Sequence, residues 1–500
     1  GETVALFSPG GTLFLETVGA TDGGIDSITL GAVAGDVSAV ELGGNVTVDG
    51  GIDFGNVTAG ENITLTGPVT IDATGPIAID FDDTGVTGGF DLSLQTGGGS
   101  LIANATLGGT VDLASLDVDS GPFTQGGAIQ ASGLIDIQIT LAFTFDTGNT
   151  IVSTGGAINI GATGELIVDQ LIDAGTTVTL TADSDDAGGE NLTVSADTRG
   201  TTATLRSGTV AGAGGRVDVT ANVANNEGSY AVTAGSTLRV SDNITANTFV
   251  GSDIIVNAAI RTDVAANATF TADDIVDVRG GLSSVGGSTF TANATTVELG
   301  AVNNAGGAFL TGLNVVATNL DLNNGTVSTN GVINWDSGAM TITPAVTPVT
   351  VTSGGNQIDF EAAQLVDGGA TRVVNFNAGA GNITFGEVDM TSPGSGIAVN
   401  GAGSLRFGDD ITTANGLDFS TFVAPGNTAR MLSNVRITSN AGAIDFAQNN
   451  AVNINGSHSS ELSASATVFL AGVGTAGADP TALTVSGASA ELYGFIQVDG

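Results

Sequence analysis

The chain repeats itself at a fixed interval. Thr269-Phe270-Thr271-Ala272 returns twenty residues later as Thr289-Phe290-Thr291-Ala292, and again, weakened, as Phe309-Leu310-Thr311-Gly312. Gly286-Gly287 returns as Gly306-Gly307, Gly280 as Gly300 and Leu282 as Val302. Ile255, Ile275 and Val315 fit the same frame with Thr295 between them, and Phe249 precedes Phe270 by twenty-one. A period near twenty is one solenoid coil: two or three strands of four to six residues joined by tight turns. One coil cannot bury its own apolar face. Stacked coils bury Phe on Phe and Val on Val, and each strand pairs with its equivalents above and below. Tandem immunoglobulin-like domains would instead repeat at about 100 residues and show a core Trp in each; this chain has one Trp, Trp335.

The texture elsewhere agrees. Asn45-Val-Thr-Val-Asp49 runs into Gly50-Gly51, Asn62-Ile-Thr-Leu-Thr66 into Gly67-Pro68, and Thr177-Val-Thr-Leu-Thr181 alternates in the same way. Such alternation turns one strand face inward and the other to water, while Gly and Asn supply the corners. Residues 164–173 and 360–366 read as short helices or as strands. Trp335, Pro344, Pro348 and Pro393 mark a less regular stretch. The expectation is an all-β parallel β-solenoid (β-helix): solenoid over 1–320, a less regular β region or insertion over 321–400, and solenoid again over 401–500. About 25 coils at about 4.8 Å each would form a rod of roughly 120 Å.

Composition narrows the function. Charged residues are 12% and hydrophobic ones 41%, so the chain lacks the low hydrophobicity and high charge density of a disordered one. The net charge of −41 reflects missing bases: there is no Lys, and the first of ten Arg is Arg199. Such a surface repels nucleic acid and anionic lipid, which need Lys or Arg to neutralise phosphate, and it attracts divalent cations. No run of 18 apolar residues exists, and the most apolar stretch, 135–145, alternates and contains Asp136; membrane insertion by a helix is not expected. Without Cys the chain rests on packing and hydrogen bonds, in a reducing or an oxidising compartment alike. Without Lys it forms no Lys–Asn isopeptide cross-link. It starts at Gly1 with no Met and no signal-like segment, which reads as a mature product or a piece of something longer.

Three stretches carry a family likeness: Gly251-Ser-Asp-Ile-Ile-Val-Asn-Ala-Ala-Ile260, Ala272-Asp-Asp-Ile-Val-Asp-Val278 and the Gly-Gly-x-x-Phe-Thr-Ala unit at 286–292. This texture resembles the filamentous-haemagglutinin-type exoproteins of bacteria, large secreted adhesins. The likeness is strongest over 150–320 and is one of style and period; the family's N-terminal secretion module is not recognisable in residues 1–50. The resemblance implies a right-handed parallel β-helix shaft and a surface-exposed or secreted fibre.

Catalysis has few residues to use. His458 is the single histidine, and Ser457 and Ser459 are merely its neighbours, so the position reads as an exposed loop and not as a base beside a nucleophile. One His and no Cys leave no zinc constellation. Carboxylate pairs could serve polysaccharide hydrolysis on a β-helix; the densest groups are Asp80, Asp82 and Asp83, and Asp183, Asp185 and Asp186. Sugar clefts, however, are rich in Trp and Tyr, and this chain has only Trp335, Tyr230 and Tyr493. The same acidic groups, with Glu190 and the turn Gly188-Gly189, are the candidate calcium ligands, because calcium takes six to eight oxygens from flexible loops. Solvated acidic loops are the plainer reading.

Eleven Asn-x-Ser/Thr triplets occur, at Asn45, Asn56, Asn62, Asn104, Asn191, Asn243, Asn267, Asn293, Asn324, Asn382 and Asn455. They are N-glycosylation acceptors in form, but an Asn at a turn followed by an outward Thr is also what a coil needs. The twenty-one Phe read as core stacks. Residues 1–15, with Val4, Leu6, Phe7, Leu13, Phe14 and Leu15, are a cap or an edge that accepts another strand. The expected protein is an extracellular, non-enzymatic structural element of a surface layer, sheath, filament or adhesin stalk. It self-associates through solenoid ends or faces into a homo-oligomer or filament. The alternatives are an adhesin module that binds a glycan or surface protein and, behind it, a polysaccharide-degrading β-helix.

Overall fold

The computed structural model describes residues 2–19, 25–31, 37–58, 61–73, 79–145, 148–209, 215–225, 228–234, 237–240, 244–246, 253–303, 308–323, 325–342, 349–361, 363–401, 403–419, 428–446, 453–473, 480–493 and 496–497. Among them there is no helix, and hence none long and apolar enough to cross a membrane. The two stretches that allowed a helix are strands, Leu166–Val168 with Leu171–Ala174, and Ile358–Phe360 with Gln364–Val366. The chain divides into two compact units, Gly1–Ile260 and Arg261–Gly500.

In the first unit each strand bonds to its equivalent one coil on, and three parallel ladders result. One runs through Val69–Ala73, Asp91–Gln95, Ser115–Ser120, Ile135–Ile139, Ile158–Ala162, Thr177–Ala182 and Thr202–Ser207. A second joins Phe143–Phe145, Leu166–Val168, Leu192–Val194 and Val217–Val219. The third joins Ile129–Ala131, Thr150–Ser153, Leu171–Ala174 and Thr198–Arg199. This is the stacked β-solenoid that the repeat demands. Near the start, Glu2–Leu6 pairs with Ile25–Leu30 and Ser8–Leu15 with Val37–Leu42; Phe7 and Phe14 are exposed while Leu15 is buried.

The second unit is built the same way. Val349–Ser353, Val373–Asn377, Gly396–Asn400, Leu417–Asp418, Ile444–Asp445 and Thr467–Leu470 form one ladder. Ile358–Phe360, Ile383–Phe385, Leu405–Phe407, Thr428–Met431 and Asn453–Asn455 form the next. Across 321–400, where the sequence predicts less regularity, the strand Thr326–Ile342 runs seventeen residues, with inward and outward positions alternating from Val327 to Ser337. Trp335 lies inside it, 1% exposed. Pro344 and Pro348 are outside the described residues, and the carbonyl of Pro393 accepts the Thr371 hydroxyl at 2.6 Å in a turn.

Coil length varies about the expected value. Leu116 pairs with Ile135, nineteen residues on, and Ile52 with Ile79, twenty-seven on. Leu282 faces Val302 as the twenty-residue frame requires, but Ala268 faces Phe290 and Phe270 faces Ala292. The Thr-Phe-Thr-Ala copies are thus two residues out of register with each other. A slip of two keeps every side chain on its own face, where a slip of one would invert them. Both rings stay in the core and meet edge to face, centroids 5.0 Å apart. Phe249, Gly306 and Gly307 lie outside the described residues.

In each unit the core is built of stacked rings and branched chains. Phe54 stacks on Phe81 at 5.0 Å, Phe385 on Phe407 at 5.6 Å, and Phe419 on Phe446 at 4.8 Å. Stacking at such distances adds roughly 0.5–1.5 kcal/mol to the area buried. Corners hold coils close: Gly108 has φ +86°, and a Cβ there would overlap the carbonyl of Gln130 in the next coil.

Candidate functional site

The candidate calcium ligands serve their own loops. Asp183 follows the strand Thr177–Ala182; it is fully buried and has φ +53°. Its carboxylate accepts the amides of Ala187 at 3.1 Å, Gly188 at 3.2 Å and Gly189 at 2.9 Å. Asp185 accepts the Ala187 amide at 3.2 Å. Asp186, also at positive φ, turns to the next coil and accepts the amide of Thr209 at 2.6 Å and its hydroxyl. Glu190 packs against Gly188, with Oε2 buried and unpartnered. Asp183 and Asp185 share the Ala187 amide while Asp186 turns to the next coil, so the carboxylates are directed at backbone donors and not at a common centre.

Asp80, Asp82 and Asp83 follow the same logic. Asp80 Oδ1 accepts the amide of Asp82 at 2.8 Å, as Asp53 Oδ1 accepts that of Gly55 at 2.8 Å one coil earlier. Asp53 and Asp80 are in register. Burial pushes the Asp80 carboxyl above the usual carboxylate range, the Asp82 amide pulls it back, and the charges of Asp53 and Asp82 push it further up. Asp82 accepts the Asn104 amide nitrogen at 3.1 Å, and Asp83 is exposed. Among the described residues no three or more His, Asp or Glu side chains are grouped to hold a metal.

The sequence carried a signal here that its clusters obscured. Ile52-Asp53-Phe54, Ile79-Asp80-Phe81, Ile358-Asp359-Phe360 and Ile444-Asp445-Phe446 share one tripeptide. The Ile and Phe turn inward, and in the first three the outward Asp caps the amide two residues on, Glu361 in the third at 3.1 Å.

Aromatic residues that would line a sugar cleft are mostly inside. Trp335 and Tyr230 are buried, and the Tyr230 hydroxyl bonds Thr198 Oγ1 at 2.8 Å; Tyr493 is exposed and donates to Glu491 at 2.7 Å. His458 is half-buried in a turn and its carbonyl accepts the Thr481 amide. A groove across successive coils is lined by Val373, Ile397, Asn415, Leu417, Asp418 and Asp445.

Four of the Asn-x-Thr asparagines have a common structural task. Asn45, Asn191, Asn267 and Asn382 accept, through Oδ1, the backbone amides of Thr70, Arg216, Thr289 and Ser404 at 2.8–3.0 Å. Each partner is the in-register residue of the next coil. The residue after each Asn is buried core. Asn243 and Asn324 lie outside the described residues.

The arginines show one further arrangement. Arg199, Arg216, Arg279 and Arg436 pair with Asp197, Asp218, Asp277 and Glu461 at 2.6–3.3 Å. Arg406 and Arg430 instead stand in register with each other on adjacent coils.

No family model matches the chain, and no solved structure matches it. It is similar to outer membrane protein B of Rickettsia rickettsii, 26% identical over 392 residues, which cover 73% of this chain and 20% of that protein. The chain therefore spans about a fifth of the length of this relative. The filamentous-haemagglutinin likeness is matched in fold, a β-solenoid, and no specific family is assigned.

Proposed function

We propose that this chain is a structural segment of a bacterial cell-surface protein, a solenoid shaft that associates with further copies of itself and catalyses no reaction. The observation that carries the reading is the coil-after-coil parallel register, sealed by a stacked aromatic core and faced with hydroxyl, amide and carboxylate groups. Such an architecture extends in one dimension and offers long repetitive faces. The likeness to an outer membrane protein supports the cell-surface placement. The self-bonded acidic loops favour a structural role for Asp80 and Asp183 over a catalytic one.

The test has two arms. Antibodies against the chain should label intact, unpermeabilised cells of the source organism; labelling only after permeabilisation overturns the surface placement. Electron microscopy and sedimentation of the purified chain, with calcium and then with a chelator, should show concentration-dependent oligomers or filaments. Single particles at every concentration would favour the adhesin reading, for which the groove along Ile397, Leu417 and Asp418 is the place to seek glycan binding.

A further inference from the structure

Arg406 and Arg430 are two of only ten cationic side chains set against 51 carboxylates. Each sits at the outward position of an apolar-Arg-apolar triplet, Leu405-Arg406-Phe407 and Ala429-Arg430-Met431, whose flanking residues are buried. The ladder register places the two guanidinium-bearing positions directly opposite each other, one strand spacing apart, about 4.8 Å. Like charges opposed in a sheet destabilise it. Among the described residues neither guanidinium group makes a hydrogen bond or an ion pair, although four others find carboxylates. Next in the same column is Thr384, whose Oγ1 is buried without a partner. Two guanidinium groups held at a fixed spacing by the backbone form a preset receptor for two carboxylates, because each can grip one through two parallel N–H donors.

The chain itself carries the complement. Asp117 and Asp136 are also in register on adjacent coils, flanked by buried Leu116, Val118, Ile135 and Ile137, at the same spacing of about 4.8 Å. They lie within residues 1–198, which hold no Lys or Arg. Ser93 and Gln95 donate to Asp117, and Gln138 to Asp136. These bonds leave acceptor sites free, since a carboxylate offers about four. The other stacked pairs suit the role less: Asp53 and Asp80 cap their own turns, Asp418 and Asp445 line a recess, and in the run Asp277–Glu298–Asp321 Asp277 is already paired with Arg279 and Glu298 accepts Asn323.

We propose that Arg406 and Arg430 of one copy grip Asp117 and Asp136 of a second copy, rung for rung. The proposal rests on the self-association reading and assigns its contact. Sedimentation velocity of the full chain at low and moderate salt tests it, with circular dichroism to verify that each variant keeps its β structure. Arg406→Glu with Arg430→Glu should weaken association by about tenfold or more, as reversal of a close charge pair does. Arg406→Gln with Arg430→Gln should weaken it less. Asp117→Arg with Asp136→Arg should weaken it equally, and an equimolar mixture of the two charge-reversed variants should associate again. Wild-type association that the Arg variants leave unchanged overturns the assigned contact and leaves self-association standing. Loss in both variants without rescue on mixing also overturns it. A wild-type chain that stays monomeric removes both the contact and the reading beneath it.

Discussion

Asn45 Oδ1 accepts the backbone amide of Thr70 at 3.0 Å, and Thr70 is the residue in register with Asn45 on the next coil. A side chain thus continues the ladder one rung beyond the strand Val46–Val48. Asn191, Asn267 and Asn382 repeat the device with Arg216, Thr289 and Ser404. The carboxylate of Asp410 does the same for the amide of Arg436 at 2.6 Å.

Asn45→Ala should therefore cost about 1 kcal/mol, the net worth of one such bond, in urea denaturation. Asn45→Asp keeps the acceptor and should lie closer to the parent. Thr47→Val abolishes the acceptor triplet for glycosylation yet keeps a β-branched residue at an outward position; it should change stability by less than about 0.5 kcal/mol. If Thr47→Val matched Asn45→Ala in cost, the clamp would not be what the triplet provides.

The ring column sets the second expectation. Phe81 is fully buried and stacks on Phe54. Phe81→Ala should destabilise by about 3–5 kcal/mol. A double-mutant cycle with Phe54→Ala should return a coupling of about 0.5–1.5 kcal/mol. Additive losses would show that the rings fill space without engaging each other.

How much of this was legible in the sequence follows from what each feature depends on. Alternation is local, so the strands and the inward Phe were visible. Register is not local: the Thr-Phe-Thr-Ala copies read as stacked equivalents, whereas Phe270 opposes Ala292. Loops of unequal length can shift a coil by two residues without disturbing the inward pattern. The acidic clusters offered candidate ligand sets because sequence gives proximity along the chain but not direction, and these carboxylates turn to backbone amides of their own and neighbouring loops. The Arg406–Arg430 pairing was hidden for the same reason: the two are separated by twenty-four residues and meet only through the ladder.

Two carboxyls, buried Asp367 and half-buried Asp80, should respond to pH with opposite signs. Burial pushes Asp367 up, but the amides of Ser392 and Gly369 and the hydroxyls of Ser392 and Ser395 outweigh it and hold the carboxyl below its usual range. A depressed folded value contributes stability above the unfolded value of about 3.9, lost as pH falls through the folded one. Asp367→Asn should then lose about 1–3 kcal/mol at neutral pH and converge on the parent in acid. Asp80 is raised, so its ionised form opposes folding once pH exceeds the folded value. Asp80→Asn retains the acceptor for Asp82 and should be more stable than the parent at pH 7. That advantage should vanish below about pH 3.9. Chemical denaturation of both variants at neutral and acid pH checks the signs; a loss for Asp80→Asn at pH 7 would contradict the account.

Asp183 separates a loop-closing carboxylate from a metal ligand. It is wholly buried and receives three successive amides, from Ala187, Gly188 and Gly189. Its removal leaves those donors without their acceptor, at about 1–3 kcal/mol for a buried group. Asp183→Ala should lower the melting temperature by the same amount with calcium present and with chelator, because the bonds lost are internal. Asp183→Asn, which keeps one carbonyl acceptor and no charge, should fall between the two. A parent whose melting temperature rises on adding calcium, with the rise absent in Asp183→Ala, would show that the loop takes a cation after all: a ligand binding only the folded state stabilises it by mass action, and that linkage would have to pass through Asp183.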